Sequence, residues 1–230
     1  MCNISFCRSE PTLLRAFLHG GWTARVIFRC GSRKFVAKLG GRLARVRLPV
    51  RTSRLVLRFP QLSDIPFFLR YLNEPAVFDP VFYRHTPLKR TDEVDFVRRS
   101  LREARDGSRL NLAITIRGTR TLMGGIGLDT TDWENGRGQL GYWLAKPYWH
   151  KGYGSEAASA VCRIAFRTLK LHRVDASVFQ FNPRSMKLLR RLGFVAEGRK
   201  RSVLNRGGRW HDEVLFGLLA TDFRPFLPRK

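Results

Sequence analysis

The chain has 230 residues, of which 43% are hydrophobic and 12% aromatic, which is enough for one domain with a sizeable core. No apolar run approaches the roughly 20 residues that span a bilayer. The four cysteines show no Cys-x-x-Cys spacing, which argues against a zinc site or a disulfide framework. We therefore expect the protein to lie in the reducing cytoplasm. The formal net charge of +25 favours polyanionic partners such as nucleic acid, a ribosome surface, acidic lipid or a phosphorylated cofactor. An arginine-rich surface without a partner is the alternative.

Residues 1–50 differ from the rest of the chain. They carry ten basic residues and one acidic residue, and glycine pairs interrupt every hydrophobic stretch. A basic anchoring arm, an organelle-type presequence and translated upstream sequence are the competing interpretations. We expect this extension to be poorly ordered and dispensable, with a boundary near Pro49 and a globular domain over residues 51–230.

The first half of that domain reads as a strand, two helices and a hairpin. A strand over residues 54–59 ends at Pro60, and Glu74-Pro75 stops a helix over Ile65–Leu72. A proline-punctuated aromatic loop, 78–87, leads to a second helix over residues 91–105. Two strands then form a predicted hairpin: 110–116 and 122–128.

The second half alternates strands and helices. A polar turn at residues 132–138 precedes the predicted elements, which are strand 140–145, helix 153–169, strand 173–179, helix 182–192, a strand from residue 193 and strand 213–219. This order predicts an α/β fold in which helices flank a mixed sheet.

The connection between strand 140–145 and the next helix is rich in glycine. His150-Lys151-Gly152-Tyr153-Gly154 leads into Ser155 and a good helix opening. Backbone N–H groups at such a helix start bind a pyrophosphate, because the helix dipole favours an anion and glycines let it approach closely. Two glycines alone are more often a plain turn.

A second signature lies 28 residues after Gly154, in the segment that runs from Asn182 to Gly193-Phe194. Asn182 is a good N-cap and Gly193 suits the left-handed residue after a helix, so both have structural explanations. A parallel strand pair joined by the intervening crossover helix brings both helix starts to the same edge of the sheet. One ligand could then contact both.

These two segments resemble the GCN5-related N-acetyltransferases. The glycine loop is similar to their Arg/Gln-x-x-Gly-x-Gly/Ala segment, although Trp149 stands at its first position, and the second resembles their Asn-x-x-Ser helix. Trp149 and the ending 208–215 look like the ribosomal-protein-alanine N-acetyltransferase branch. The resemblance covers roughly residues 53–223. It implies a mixed, mostly antiparallel central sheet with a splayed parallel strand pair, acetyl-CoA as co-substrate and no metal.

The resemblance also assigns roles to residues. Ser185 would protonate the leaving thiolate, and Asn182 would bond the pantetheine amide. The remaining cofactor-binding positions act through their backbone amides, on the pantetheine (Tyr142, Trp143, Leu144, Ala145) and on the pyrophosphate (Lys151, Gly152, Tyr153, Gly154, Ser155). Ser185 could equally be an ordinary serine of a first helical turn.

The general base is not determined by the sequence. Many relatives carry a glutamate on the strand where this chain has Gln139, which cannot accept a proton. An ordered water could act instead, and the side chains that could supply the base are Asp129, Glu134, His211 and Asp212.

Two functions follow from these observations. The first is an acetyl-CoA-dependent N-acetyltransferase in the cytoplasm that acetylates a primary amine, most readily a protein N-terminal α-amine of the ribosomal-protein-alanine type, with loop 78–87 lining the acceptor pocket. Small amines are the alternative acceptors. The second is a non-catalytic module that binds CoA, RNA or the ribosome through its basic face, and Gln139 favours it. The first explains more of the sequence.

Overall fold

The computed structural model describes residues 24–30, 33–39, 41–80 and 87–228. Ten strands occur in these ranges: β1 (Ala24–Cys30), β2 (Arg33–Leu39), β3 (Val50–Arg51), β4 (Leu55–Arg58), β5 (Arg109–Ile116), β6 (Leu122–Asp132), β7 (Arg137–Leu144), β8 (Arg173–Phe179), β9 (Val195–Arg206) and β10 (Arg209–Leu219). The α-helices are α1 (Ile65–Leu72), α2 (Pro75–Phe78), α3 (Arg90–Asp106), α4 (Tyr153–Arg163) and α5 (Pro183–Arg191).

Eight strands form one sheet in the order β3-β4-β5-β6-β7-β8-β10-β9, and β1 and β2 form a separate antiparallel pair. Within the large sheet β7 and β8 run parallel, and every other neighbouring pair is antiparallel. The predicted fold class, a mixed and mostly antiparallel sheet with one parallel pair and flanking helices, is confirmed.

The parallel pair is joined for only part of its length. Residues 137–139 of β7 pair with residues 173–175 of β8, and the pairing ends there. Arg137 strengthens the joined part through an ion pair with Asp175, whose carboxylate it contacts at 2.9 Å. Beyond this point the two strands part, and their unpaired ends carry backbone groups that no neighbouring strand satisfies.

Helix α4 lies directly on the sheet because its buried face is made of small residues. Ala157 and Ala158 are fully buried, and Ala165 continues the same face in a π-helical turn over Ile164–Thr168. Small side chains let the helix backbone approach the strands closely, and the contact joins the main core of leucine, valine and phenylalanine side chains.

The amino-terminal part of the described chain joins this core before residue 51. The main hydrophobic cluster includes Leu43 and Ala44, which lie in a short 3-10 helix over Gly41–Arg45, and Val46, which follows that helix. The boundary near Pro49 and the expectation for residues 1–50 stay predictions, and residues 1–23 lie outside the described part. No helix in the described part of the chain is long and apolar enough to cross a membrane.

Candidate active site

A cleft of about 680 Å³ opens where β7 and β8 part. It is lined by residues 140–144 of β7, 176–179 of β8, 152–155 at the start of α4 and 182–185 at the start of α5. The two helix starts that the sequence singles out therefore face the same cleft. All the predicted site residues except Ala145 and Lys151 are among the residues that line it.

The start of α4 is shaped to admit a large anion. Gly152 is the N-cap and has φ of +76°, and a Cβ atom there would lie 3.2 Å from the Phe226 ring. A Cβ atom on Gly154 would lie 3.0 Å from Leu188 of α5. Because neither glycine has a side chain, the unpaired N–H groups of the first helical turn stay accessible, and their dipoles favour negative charge. This loop can accept an anionic group such as a pyrophosphate.

A buried carboxylate holds that helix start in place. Glu156 is 3% exposed, and its Oε1 accepts hydrogen bonds from the Thr52 hydroxyl at 2.6 Å and from the Ser53 hydroxyl and the Arg54 backbone at 2.9 Å. The Arg54 guanidinium donates to Oε2 at 2.7 Å and to the Lys151 carbonyl at 3.0 Å. Burial raises the pKa of Glu156, but the hydrogen bonds from Thr52, Arg54 and Ser53 outweigh it and hold the pKa below its usual range.

The start of α5 is held by a local cap. The Asn182 side-chain oxygen accepts a hydrogen bond from the Ser185 backbone N–H at 3.2 Å, and Pro183 occupies the first helical position. This cap uses Oδ1 of Asn182. Its Nδ2 group is the donor that can serve a ligand in the cleft.

Ser185 meets a tyrosine from the opposite side of the cleft. The Ser185 and Tyr142 hydroxyl oxygens are 2.7 Å apart, and either can donate. Burial raises the pKa of Tyr142 above its usual range, although its hydrogen bond with Ser185 lowers it. Tyr142 therefore stays protonated at neutral pH, and the pair can pass a proton to an atom beside Ser185. The family resemblance predicts only a backbone role for Tyr142, and nothing in the spacing of the sequence indicates this contact.

The backbone of β7 offers fewer amides than expected. The Ala145 N–H donates to the Met123 carbonyl of β6 at 2.8 Å, so it faces away from the gap, contrary to the prediction. Because amide directions alternate along a strand, the Trp143 N–H also faces β6, while those of Tyr142 and Leu144 face the gap. The amides that can pair with a pantetheine arm are therefore those of Tyr142 and Leu144.

Trp149, which departs from the family pattern, connects three parts of the site. Its indole N–H donates to the Leu144 carbonyl at 2.6 Å, which satisfies a backbone group at the end of β7. The Arg184 guanidinium lies over its ring, 3.7 Å from the centroid, so the loop before α4 is also tied to the start of α5. The sequence shows the substitution but not its contacts, since Arg184 follows 35 residues later.

None of the candidate bases is among the described residues that line the cleft. Asp129 pairs with Arg109, and Glu134 is exposed in the turn before β7. Asp212 accepts hydrogen bonds from the Ser202 backbone N–H at 2.8 Å and from Arg199. The hydrogen bond from Ser202 lowers the pKa of Asp212 most. Desolvation opposes it, but with the added hydrogen bond from Arg199 the pKa stays below the usual range. The four side chains are thus dispersed.

His211 lies in a second cavity, of about 550 Å³, that adjoins the cleft. Its ring contacts Phe181 with the centroids 4.7 Å apart. The residues common to both cavities are Ala76, Pro80, Trp149 and Arg184. Ala76 belongs to α2, and Pro80 lies two residues after this helix, within the predicted acceptor loop 78–87. Residues 81–86 of that loop, including Phe82 and Tyr83, lie outside the described residues.

Lys187 and Arg191 also line the cleft, one helical turn apart on α5. Together with Arg184 they give one wall of the cleft a positive charge that suits a phosphorylated ligand. Across the described ranges, no group of three or more histidine, cysteine, aspartate or glutamate side chains has the arrangement of a metal site.

A match to a known family identifies the family of this chain. A family model described as an acetyltransferase (GNAT) domain matches residues 54–195. The chain belongs to the GNAT acetyltransferases. It is an N-acetyltransferase with acetyl-CoA as co-substrate, and the family prediction made from the two signatures is confirmed.

Individual relatives agree with this assignment. The uncharacterized N-acetyltransferase p20 of Bacillus licheniformis is 31% identical over 173 residues, which are 75% of this chain and 96% of that protein. The [ribosomal protein uS5]-alanine N-acetyltransferase of Escherichia coli is 40% identical over 86 residues, which are 37% of this chain and 44% of that protein. Spermidine N-acetyltransferase from Vibrio cholerae, solved with CoA and spermine, superposes with a TM-score of 0.66 at 18% identity, covering 74% of this chain and 98% of its own.

Proposed function

We propose that this GNAT acetyltransferase acts in the cytoplasm and acetylates the N-terminal α-amine of a protein, with a ribosomal protein as the acceptor. The observation that carries acetyl transfer at this cleft is the hydroxyl pair of Tyr142 and Ser185, 2.7 Å apart. The 40% identity to the uS5-alanine enzyme supports the acceptor class.

Acetyl-CoA supplies the acetyl thioester. The residues at the start of α4, Gly152 to Ser155, hold the pyrophosphate through backbone N–H groups, and the wall made by Lys187 and Arg191 adds positive charge. The Tyr142 and Leu144 amides and the Asn182 Nδ2 group orient the pantetheine arm. One of these strand amides also polarises the thioester carbonyl as negative charge develops on its oxygen.

Ser185 completes the reaction as the acid. Its hydroxyl gives a proton to the sulfur atom as the carbon–sulfur bond breaks, and Tyr142 replaces that proton through their shared hydrogen bond. Without the Tyr142 partner, Ser185 would be left as an alkoxide, which is costly in a closed cleft.

The acceptor class is tested with purified protein, labelled acetyl-CoA and a panel of amines. The proposal predicts transfer to peptides that carry the N-terminal sequences of ribosomal proteins, and little transfer to spermidine or to lysine side chains. A preference for polyamines or other small amines would overturn it. A net charge of +25 argues against polycationic acceptors, because like charges repel at the entrance.

The same charge supports contact with the ribosome. Binding through a basic face releases counterions, so affinity for ribosomal particles should fall steeply as salt rises from 50 to about 200 mM. Acetylation of a free peptide should change much less over this range. Equal salt dependence of the two measurements would contradict a separate basic docking face.

A further inference from the structure

Glu213 is a buried carboxylate that none of the roles above uses. It lies on β10, is 5% exposed, and is the one acidic side chain among the described residues that line the cleft. In the pairing of β10 with β8 it stands opposite Phe179, beyond the point where β7 and β8 part. The Lys200 ammonium is 3.8 Å from its Oε2 atom. Glu213 therefore borders the opening itself.

The cleft reaches both faces of the sheet. Successive residues of β7 point to opposite faces, since Tyr142 contacts Ser185 of α5 whereas the Trp143 ring packs against Phe68 of α1 at 6.0 Å. A ligand held at the two helix starts on the first face can thus present its reactive end to the second face, which α1 and α2 cover.

Glu213 belongs to this second face. Directly opposite residues of an antiparallel pair share a face, so Glu213 is on the same side as Phe179. The Phe179 ring stacks on Phe181 with centroids 5.5 Å apart, and Phe181 lines the second cavity together with Ala76 of α2. Glu213 and Ser185 therefore border the cleft from opposite sides of the sheet.

We propose that Glu213 is the catalytic base, and that the acceptor amine reaches it through the second cavity. An α-amine has an ordinary pKa of about 7.7–8.0 and is mostly protonated at neutral pH, so it must lose a proton before it can attack. The Glu213 carboxylate lines the cleft that this cavity adjoins, where it attracts the ammonium group and then accepts this proton. The inference rests on the acetyl transfer proposed above.

Glu213 takes one proton from the ammonium group, and the amine nitrogen then bonds to the carbonyl carbon. As the carbon–sulfur bond breaks, the thiolate gains a proton from Ser185, and Tyr142 passes its own proton to Ser185. The second proton that the nitrogen loses returns to Tyr142, so the hydroxyl pair ends as it began. Glu213 finally releases its proton to water, so each turnover yields one amide, one thiol and one free proton.

The test compares wild type with Glu213→Gln, which keeps the shape of the side chain and removes the proton acceptor. At pH 7, kcat/KM of the variant should fall by about 10²–10⁴-fold, the usual contribution of a general base. The deficit should shrink as the pH rises to 9, because more of the amine is then already neutral. The thermal shift caused by CoA should be unchanged, and binding of the acceptor peptide to the unreactive CoA complex should weaken several-fold.

Glu197→Gln is the matched control. Glu197 lies on the adjacent strand β9, where it pairs with Arg173 at a half-exposed position away from the cleft. This variant should keep wild-type kcat/KM and peptide binding.

Unchanged kcat/KM in Glu213→Gln would overturn the inference, as would a deficit of the same size at every pH from 6 to 9 or a lost CoA thermal shift, both of which indicate a structural role. If wild type acetylates another amine and no N-terminal peptide, the acceptor class alone fails. The same comparison is then made with that amine, and the same outcomes decide the role of Glu213.

Discussion

The two helix starts that face the cleft are held in different ways. The start of α4 depends on an ionic network that is distant in sequence, since Thr52 and Glu156 are 104 residues apart. The start of α5 depends on neutral groups, the Asn182 cap three residues from Ser185 and the Tyr142 hydroxyl. Changes at the first helix start should therefore cost stability and depend on pH. Changes at the second should mainly alter chemistry.

The largest effect is expected for Glu156→Gln. It leaves the Arg54 guanidinium without its charged partner and weakens four hydrogen bonds, so the free energy of unfolding should fall by about 3 kcal/mol. This value is at the low end for a buried pair because Arg54 is 34% exposed. Chemical denaturation measures it. Glu134→Gln, in an exposed turn, should change stability by less than about 0.5 kcal/mol, and an equal loss in both variants would contradict the network.

The pH dependence of stability separates the network from packing. The folded pKa of Glu156 lies below its ordinary value of 4.5, so its stabilising contribution is fully present above about pH 4.5 and is lost as the pH falls through the folded pKa. The stability difference between wild type and Glu156→Gln should therefore narrow between pH 6 and pH 3, as followed by denaturation at each pH. A constant difference would show that the charge of Glu156 is not what stabilises the helix start.

At the second helix start, Ser185→Ala should lower kcat by about 10²-fold, as expected for the loss of a general acid. The free energy of unfolding and the thermal shift with CoA should change little. Tyr142→Phe should lower kcat less, because Ser185 still has its own proton to donate to the sulfur atom. The double variant should be no worse than Ser185→Ala, because both residues act through one hydrogen bond. Additive losses would contradict the paired role.

The smallest effect is expected for Gly152→Ala, which tests how closely the start of α4 fits its ligand. Alanine is strained by about 1–2 kcal/mol at a φ of +76°, and its Cβ would press on the Phe226 ring. The affinity for CoA, measured by calorimetry, should fall by about tenfold, which corresponds to about 1.4 kcal/mol. Gly198→Ala on β9, where a Cβ atom has its nearest neighbour at 3.8 Å, should bind CoA like wild type. Equal affinities in both variants would argue against a tight loop.

The sequence predicts most of the elements because their signals are local. Helix α1 and strand β8 have the predicted limits, and α3 extends the predicted helix by one residue at each end. Helix α2 was missed because Pro75 was interpreted as a stop, although proline also suits a first helical turn. The hairpin of β9 and β10 is longer than predicted, since the exposed residues 199–202 lack the alternation that marks a half-buried strand.

In the candidate site, too, local sequence signals predict some features and miss others. Gly152 and Asn182 mark the two helix starts because capping and loop chemistry act over a few residues. The contacts that join those starts to the rest of the molecule do not follow from spacing. Ser185 and Tyr142 are 43 residues apart in the chain, and Trp149 and Arg184 are 35 residues apart. Only the folded structure brings each pair into contact. Which β7 amides face the gap depends on the hydrogen-bond register of β7 with β6.

The most direct test of the account is a crystal structure of the full chain with CoA. We expect the pantetheine arm between residues 142–144 of β7 and 176–179 of β8, with the pyrophosphate at the backbone N–H groups of residues 152–155 and the sulfur atom beside the Ser185 hydroxyl. CoA bound elsewhere, or a sulfur atom far from the hydroxyl pair of Ser185 and Tyr142, would contradict it.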